Sequence, residues 1–146
     1  MDNTIVDILL IEDNMQDAEL TARALKKLNL THHILHLKDS IEALNFIFSQ
    51  KPISSPEPHT HIKLILLDLK MPKVSGIEVL KRIKSDDRTK IIPTVILTSS
   101  KQEHDISEAL SAGANSYVVK PVSFAQFTET VSQVGFYWLM HNQSSR

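Results

Sequence analysis

The chain reads as an α/β domain built on a parallel sheet, and three observations lead there. Short apolar runs recur along it, they lack the apolar/polar alternation of a half-exposed sheet, and segments of helical spacing separate them. Continuous apolar runs are what a sheet covered by helices on both faces needs, because both sides of each strand are buried. Strand and helix alternating over one short chain imply successive βαβ units.

The elements follow in order. Residues 5–11 (IVDILLI) form the first strand. In 15–28, Ala18, Ala22, Leu25 and Leu28 recur at helical spacing, with Asn14 or Asp13 as the cap. Residues 32–37 (HHILHL) alternate imperfectly and supply a further strand, followed by a helix over 40–48 with Ile41, Leu44, Ile47 and Phe48 on one stripe. The run 63–67 (KLILL) is the third strand, and Ile77, Leu80 and Ile83, with Val79 beside them, mark a helix over 75–84. Residues 92–97 (IPTVIL) are the fourth strand. A helix over 104–112 carries Ile106, Ala109 and Leu110, and Gly113 is its natural terminator, since glycine accepts the left-handed backbone that ends many helices. Residues 116–119 (SYVV) are the last strand, and Ser123 opens a long final helix over 123–140. Only 49–62, with Pro52, Pro56 and Pro58, reads as a long polar loop, and no repeat or second boundary interrupts 1–146.

Composition narrows the function. Sixteen Lys and Arg against 17 Asp and Glu leave a net charge of −1 over 146 residues, so neither nucleic acid nor an anionic membrane is an expected partner. The absence of cysteine excludes disulfides, thiolate metal sites and a Cys nucleophile. No apolar run approaches the roughly 18 residues of a membrane span, and the start, MDNTIVD, lacks the basic region of a secretory signal. The expected compartment is the cytoplasm.

In a doubly wound sheet, ligands bind beyond the carboxyl ends of the strands. Glu12 and Asp13 follow the first strand, Asp68 the third and Thr98 the fourth, while Lys120-Pro121 follows the last. Singly, each has an ordinary explanation: an Asp after a strand caps or turns, a Thr ends a strand, and a Lys is solvated. Together, three carboxylates meeting at one place repel one another unless a cation neutralises them. A hard divalent ion such as Mg²⁺ suits an all-oxygen site of this kind.

Glu12-Asp13, Asp68-Leu69-Lys70-Met71-Pro72 with Gly76, Thr98 and Lys120-Pro121 together resemble the CheY-like receiver domain of bacterial two-component response regulators, from Ile5 to about Met140. The resemblance implies a (βα)5 doubly wound, flavodoxin-like fold with five parallel strands in the order 2-1-3-4-5. It also implies roles. Asp68 matches the acceptor that takes a phosphoryl group from a phosphohistidine of a sensor histidine kinase. Asp13, Asp68 and the Lys70 backbone carbonyl match direct Mg²⁺ ligands (Mn²⁺ being an alternative), with Glu12 acting mainly through water. Thr98 and Lys120 match the hydroxyl and ammonium that contact the phosphoryl group, and Thr98 with Tyr117 the switch pair. Lys70 and Ser100 occupy positions that tune phosphate lifetime in the family. Such a protein is a phosphoacceptor in signalling, with no catalytic turnover beyond its own phosphoryl transfer and autodephosphorylation.

Most response regulators append an output domain and this chain is expected to have none, so its last helix becomes informative. Six of its eight aromatic residues follow position 116: Tyr117, Phe124, Phe127, Phe136, Tyr137 and Trp138. Phe124, Phe127, Val131, Val134 and Trp138 form a stripe that the sheet is expected to bury. Phe136, Tyr137, Trp138 and Leu139 form the expected homodimer interface, because exposed aromatic clusters mark interaction sites. This aromatic end and the long central loop resemble the small response regulators of cyanobacterial phytochromes, which implies a red/far-red light-sensing kinase as donor. Chemotaxis-type or relay receivers, and a phosphorylation-independent dimeric scaffold, are the alternatives. A dehalogenase-like phosphatase needs a second Asp where Lys70 stands, and a flavin carrier needs a neutral phosphate loop where Glu12-Asp13-Asn14 stands. The histidines His32-His33 and His59-Thr60-His61 read as solvated, having no further ligands at a metal-site spacing.

Overall fold

The computed structural model describes residues 6–27, 33–48 and 61–141. Five parallel strands alternate with five helices: β1 (Ile8–Ile11), α1 (Met15–Lys26), β2 (Ile34–Leu37), α2 (Ser40–Phe48), β3 (Leu64–Leu67), α3 (Gly76–Ser85), β4 (Thr94–Thr98), α4 (Glu103–Ser111), β5 (Ser116–Val119) and α5 (Phe124–Phe136), which runs on into a π-helical turn over Tyr137–His141. The strand order is β2-β1-β3-β4-β5, as expected. Ile5, Leu28, His32, His59, Thr60 and most of the proline-rich loop lie outside the described residues.

The order of the sheet explains which strands are apolar throughout. β1, β3 and β4 lie inside it and are buried along their whole length. β2 and β5 are the edges and are only half-buried, so the expectation that residues 116–119 are buried on both faces is corrected. Alternate side chains point to opposite faces of a strand. Leu9, Ile11, Ile65, Leu67 and Ile96 pack with Ala43, Ile47, Val79, Leu80, Ile83 and Ala109, so α2, α3 and α4 cover one face. Ile8, Leu10, Leu64, Leu66, Val95 and Leu97 pack with Ala18, Ala24, Leu25, Phe127 and Val131, which puts α1 and α5 on the other.

Local chemistry sets the boundaries. Asn14, Ser75 and Ser123 cap α1, α3 and α5, each accepting from the backbone N–H three residues on. Gly113 follows α4 with φ +105°. The fourth strand begins two residues later than expected because Pro93 has no N–H to give to the ladder, although its carbonyl still accepts from Ile65 N at 2.9 Å. It runs one residue further, to Thr98, whose carbonyl accepts from Lys120 N at 2.7 Å.

The last helix departs from its expected stripe at one end. Phe127 and Val131 are buried, and Val134 and Trp138 are packed against them. Phe124 is 64% exposed: it is the first residue of α5 and stands clear of the sheet the helix covers.

Candidate functional site

The carboxyl ends of β1, β3 and β5 bring the charged residues together. The parallel register sets Ile11 against Leu67, so Glu12 and Asp68 leave adjacent strands side by side. Both are buried, as is Thr98 at the end of β4, whereas Asp13 is exposed. Lys120 follows β5, and its Nζ lies 2.7 Å from Glu12 Oε1, 2.8 Å from Asp17 Oδ2 and 3.5 Å from Asp68 Oδ2. Its side chain is only 8% exposed.

These contacts set the protonation of the cluster. Burial raises Glu12 to about 8, the neighbouring Asp68 charge adds to the effect, and Lys120 opposes it. Burial also works against the Lys120 ammonium, yet the hydrogen bonds to Asp17 and Glu12 and the charges of Glu12 and Asp68 outweigh it and hold the group above the ordinary lysine value. Desolvation favours the neutral form of any buried ion and opposite charges favour the charged form, so Lys120 is a fixed cation here.

The residues fit a divalent metal ion. Glu12, Asp13 and Asp68 each offer a carboxylate oxygen within 4.8 Å of the others, an all-oxygen set suited to a hard cation. Four carboxyl groups, counting Asp17, face one ammonium, so acid outnumbers cation here even with the Glu12 proton retained at neutral pH. Glu12 is already occupied at both oxygens, by Lys120 and by Asn14 N at 3.1 Å, whereas Asp68 is held loosely, by Lys70 N at 3.3 Å and by Lys120.

The loop after β3 is held from two sides. Gly76 N donates to Leu69 O at 2.9 Å, and a Cβ on Gly76 would stand 2.1 Å from Asp68 O, so only glycine lets the start of α3 approach the Asp68 backbone. Lys73 turns the loop with φ +68°, and its ammonium pairs with Asp39 at 2.8 Å. Ser40 Oγ donates to Pro72 O and accepts from Val74 N.

The expected switch residues lie one step further out. Thr98 Oγ1 accepts from Ser100 N at 3.5 Å, and the half-buried Tyr117 donates its hydroxyl to Ser100 O at 2.9 Å. Burial raises the Tyr117 hydroxyl above its ordinary value. Of the four aromatic-end residues, Phe136 and Tyr137 are exposed, whereas Trp138 and Leu139 are half-buried against the core. Tyr137 and Trp138 meet edge to face at 4.9 Å.

Two contributors escaped the reading of the sequence. Asp17 on α1 shares Lys120, but an acid in the first turn of a helix is ordinary and gave no signal. His36 on β2 contacts the Glu12 carbonyl through Nε2 at 2.7 Å, a contact that only strand register reveals.

With this geometry in place, known proteins give it a context. A model of the response regulator receiver domain matches residues 8–132. The chain is 40% identical over 137 residues to the probable methanogenesis regulatory protein FilR2 of Methanothrix harundinacea, covering 94% of this chain and 86% of the relative. It is 35% identical over 133 residues to the response regulator Rcp1 of Synechocystis sp., covering 90% and 88%. Among solved structures it is similar to the phosphorylated cyanobacterial phytochrome response regulator RcpA, with a TM-score of 0.86 at 32% identity over 98% of this chain and 100% of that one. The Mn²⁺-bound form of Rcp1 has the same score at 33% identity, over 97% and 99%. Among the described residues no helix is long and apolar enough to cross a membrane.

Proposed function

The chain belongs to the response regulator receiver domain family, and from that premise we propose that it takes a phosphoryl group from a sensor histidine kinase onto Asp68 in a Mg²⁺-dependent reaction and changes conformation for signal output. The observation that carries the reading is the buried Lys120 ammonium held between Glu12 and Asp68, with Thr98 ending the adjacent strand.

The chemistry follows from charge. An Asp68 carboxylate oxygen attacks phosphorus, the new O–P bond forms as the P–N bond to the kinase histidine breaks, and the imidazole leaves with the electron pair. The difficulty is bringing an anionic nucleophile to an anionic phosphoryl group, so catalysis is positioning and electrostatic neutralisation. Lys120 supplies a positive charge at the attacking carboxylate, and the Lys70 N–H that donates to Asp68 Oδ1 orients it. Thr98 is suited to donate its hydroxyl to the new phosphoryl oxygens, giving up Ser100 N as it turns, which would pass the change to Tyr117 through the Ser100 carbonyl. Mg²⁺ held by Asp13, Asp68 and the Lys70 carbonyl, with Glu12 through water, would neutralise charge on the phosphoryl group.

Incubation with acetyl phosphate and Mg²⁺, followed by intact mass, tests this. The expected result is a gain of one phosphoryl group that is lost in Asp68→Asn and in EDTA. A gain that persists in Asp68→Asn would assign the acceptor elsewhere.

The donor is the finer question. The likeness to Rcp1 and RcpA supports a phytochrome light sensor, and the likeness to FilR2, a probable methanogenesis regulatory protein, supports a second reading in which the kinase senses something other than light. Transfer from a purified phytochrome kinase, compared with a kinase lacking a photosensory module, separates them. Exposed Phe136 and Tyr137 support self-association through the end of α5, with Trp138 and Leu139 backing them from the core side. Light scattering of a Phe136→Ala, Tyr137→Ala variant is expected to return the monomer mass where the parent gives the dimer. An unchanged mass would remove this interface.

A further inference from the structure

One side chain joins the loop after β3 to the loop after β4. Asp105, in the first turn of α4, accepts from the Ser100 hydroxyl and lies 3.3 Å from Lys70 Nζ. Lys70 is rooted beside the acceptor, since its own backbone N–H donates to Asp68 Oδ1. Its ammonium is paired with Asp105, while the ammonium at Asp68 is that of Lys120. The Lys70 side chain is 61% exposed and that of Asp105 13%, so the lysine reaches in from solvent to a sheltered aspartate that Ser100 also holds.

A cation rooted two residues from the acceptor is thus held on a competing carboxylate. The reacting phosphoryl group is anionic and meets a cluster already rich in carboxylates, so any ammonium released nearby speeds its approach. We propose that Asp105 is a positioning residue that holds the Lys70 ammonium off the Asp68 site and so restrains phosphoryl uptake. The inference rests on Asp68 being the phosphoacceptor.

The test measures the initial rate of uptake from acetyl phosphate with Mg²⁺ by intact mass. In this reaction the Asp68 O–P bond forms as the P–O bond to acetate breaks and acetate leaves with the electron pair. Asp105→Asn keeps an acceptor for Ser100 but loses the charge that binds Lys70. It is expected to take up phosphoryl groups about 3–10 times faster than the parent at roughly 20 mM ionic strength, with the gain shrinking toward parity at roughly 0.5 M as charges are screened. In a Lys70→Met background the same Asp105→Asn change is expected to have no effect, because the cation it releases is gone. A purely structural role for Asp105 would show neither the salt dependence nor the loss of effect in that background. Thermal melts establish that each variant is folded, and Asp105→Ser carries the same comparison if the Asn variant is not.

An Asp105→Asn rate equal to or below the parent's, or a gain that survives Lys70→Met, overturns the inference while leaving the acceptor assignment standing. Absence of uptake by every protein, the parent included, overturns the acceptor assignment and this inference with it.

Discussion

Lys120, with a buried side chain, and Lys84, which is half-buried, stand at opposite ends of the same sheet, and their surroundings differ in kind. At the carboxyl ends of the strands Lys120 faces Glu12, Asp17 and Asp68. At the other end Lys84 Nζ donates to Lys90 O at 2.9 Å, Ile92 O at 2.8 Å and Asn115 Oδ1 at 2.9 Å, all neutral oxygens. The titration of the two groups moves apart accordingly. Burial acts against both ammonium groups, but three carboxylates hold Lys120 above the ordinary value, whereas burial draws Lys84 down to about 8. Three carboxylates also leave a surplus of negative charge that a divalent ion can answer, and three dipoles leave none. Lys84 ties the end of α3 to the segment entering β4 and to Asn115 just before β5, which is architecture; Lys120 gathers charge where chemistry can use it.

The comparison breaks most sharply at Lys120. Lys120→Met leaves Glu12, Asp17 and Asp68 crowded without their cation, and removing one partner of a buried ion pair costs about 3–5 kcal/mol. Urea unfolding without metal is expected to show that loss, and added Mg²⁺ is expected to restore more stability to this variant than to the parent. An equal Mg²⁺ effect in both would mean that the lysine and the metal do not share the same charge.

Lys84→Met is expected to cost less, about 2 kcal/mol, because it removes three donors from neutral acceptors, each bond worth roughly 0.5–1.5 kcal/mol and partly replaced by water. Mg²⁺ is expected not to alter that cost. A clear Mg²⁺ response at Lys84 would erase the distinction between the two ends.

Gly113→Ala approaches the same lysine from the other side. Its φ of +105° disfavours a side chain, and its Cβ would stand 2.9 Å from Lys84 Cγ. The expected loss is about 1–2 kcal/mol, and it should not add fully to that of Lys84→Met because the two share a contact. Full additivity in chemical denaturation would show that the strain is purely in the backbone.

The smallest effect is in pH. With Lys84 at about 8 in the fold against an ordinary 10.5, the folded protein binds fewer protons than the unfolded chain between those values. The contribution is therefore present above about 10.5 and is lost as pH falls through about 8. The stability gap between parent and Lys84→Met is expected to widen by no more than about 1 kcal/mol from the lower to the higher pH, since solvent screens a partly exposed group. A gap that narrows would mean that the three acceptors hold the ammonium charged and dominate over burial.

Much of this was legible beforehand because it is local. The unbroken apolar runs of β1, β3 and β4, the caps Asn14 and Ser123, and the stop at Gly113 each follow from a few neighbouring residues, and their order along the chain follows from alternation. So did the convergence of Glu12, Asp68 and Lys120, because a strand end in a doubly wound sheet has one destination. What was illegible depends on partners distant in sequence. Asp17 joins the cluster only because α1 lies beside the end of β5, 103 residues away. Asp105 meets Lys70 only across two loops, and its position in the first turn of α4 looks like any acid favoured by a helix N-terminus.

Periodicity and residue type are therefore sufficient for the class of fold, for most of its elements and for the acidic cluster at one end of the sheet, since each depends on backbone geometry repeating every two or 3.6 residues. Three further things needed the folded chain. The half-burial of β5 came from its place at the sheet edge, the exposure of Phe124 from its position ahead of the sheet that α5 covers, and the opposite fates of Lys84 and Lys120 from the charges packed around them. The same ammonium is pulled down among dipoles and held up among carboxylates, because Coulomb energy and desolvation depend on distances that only tertiary packing sets.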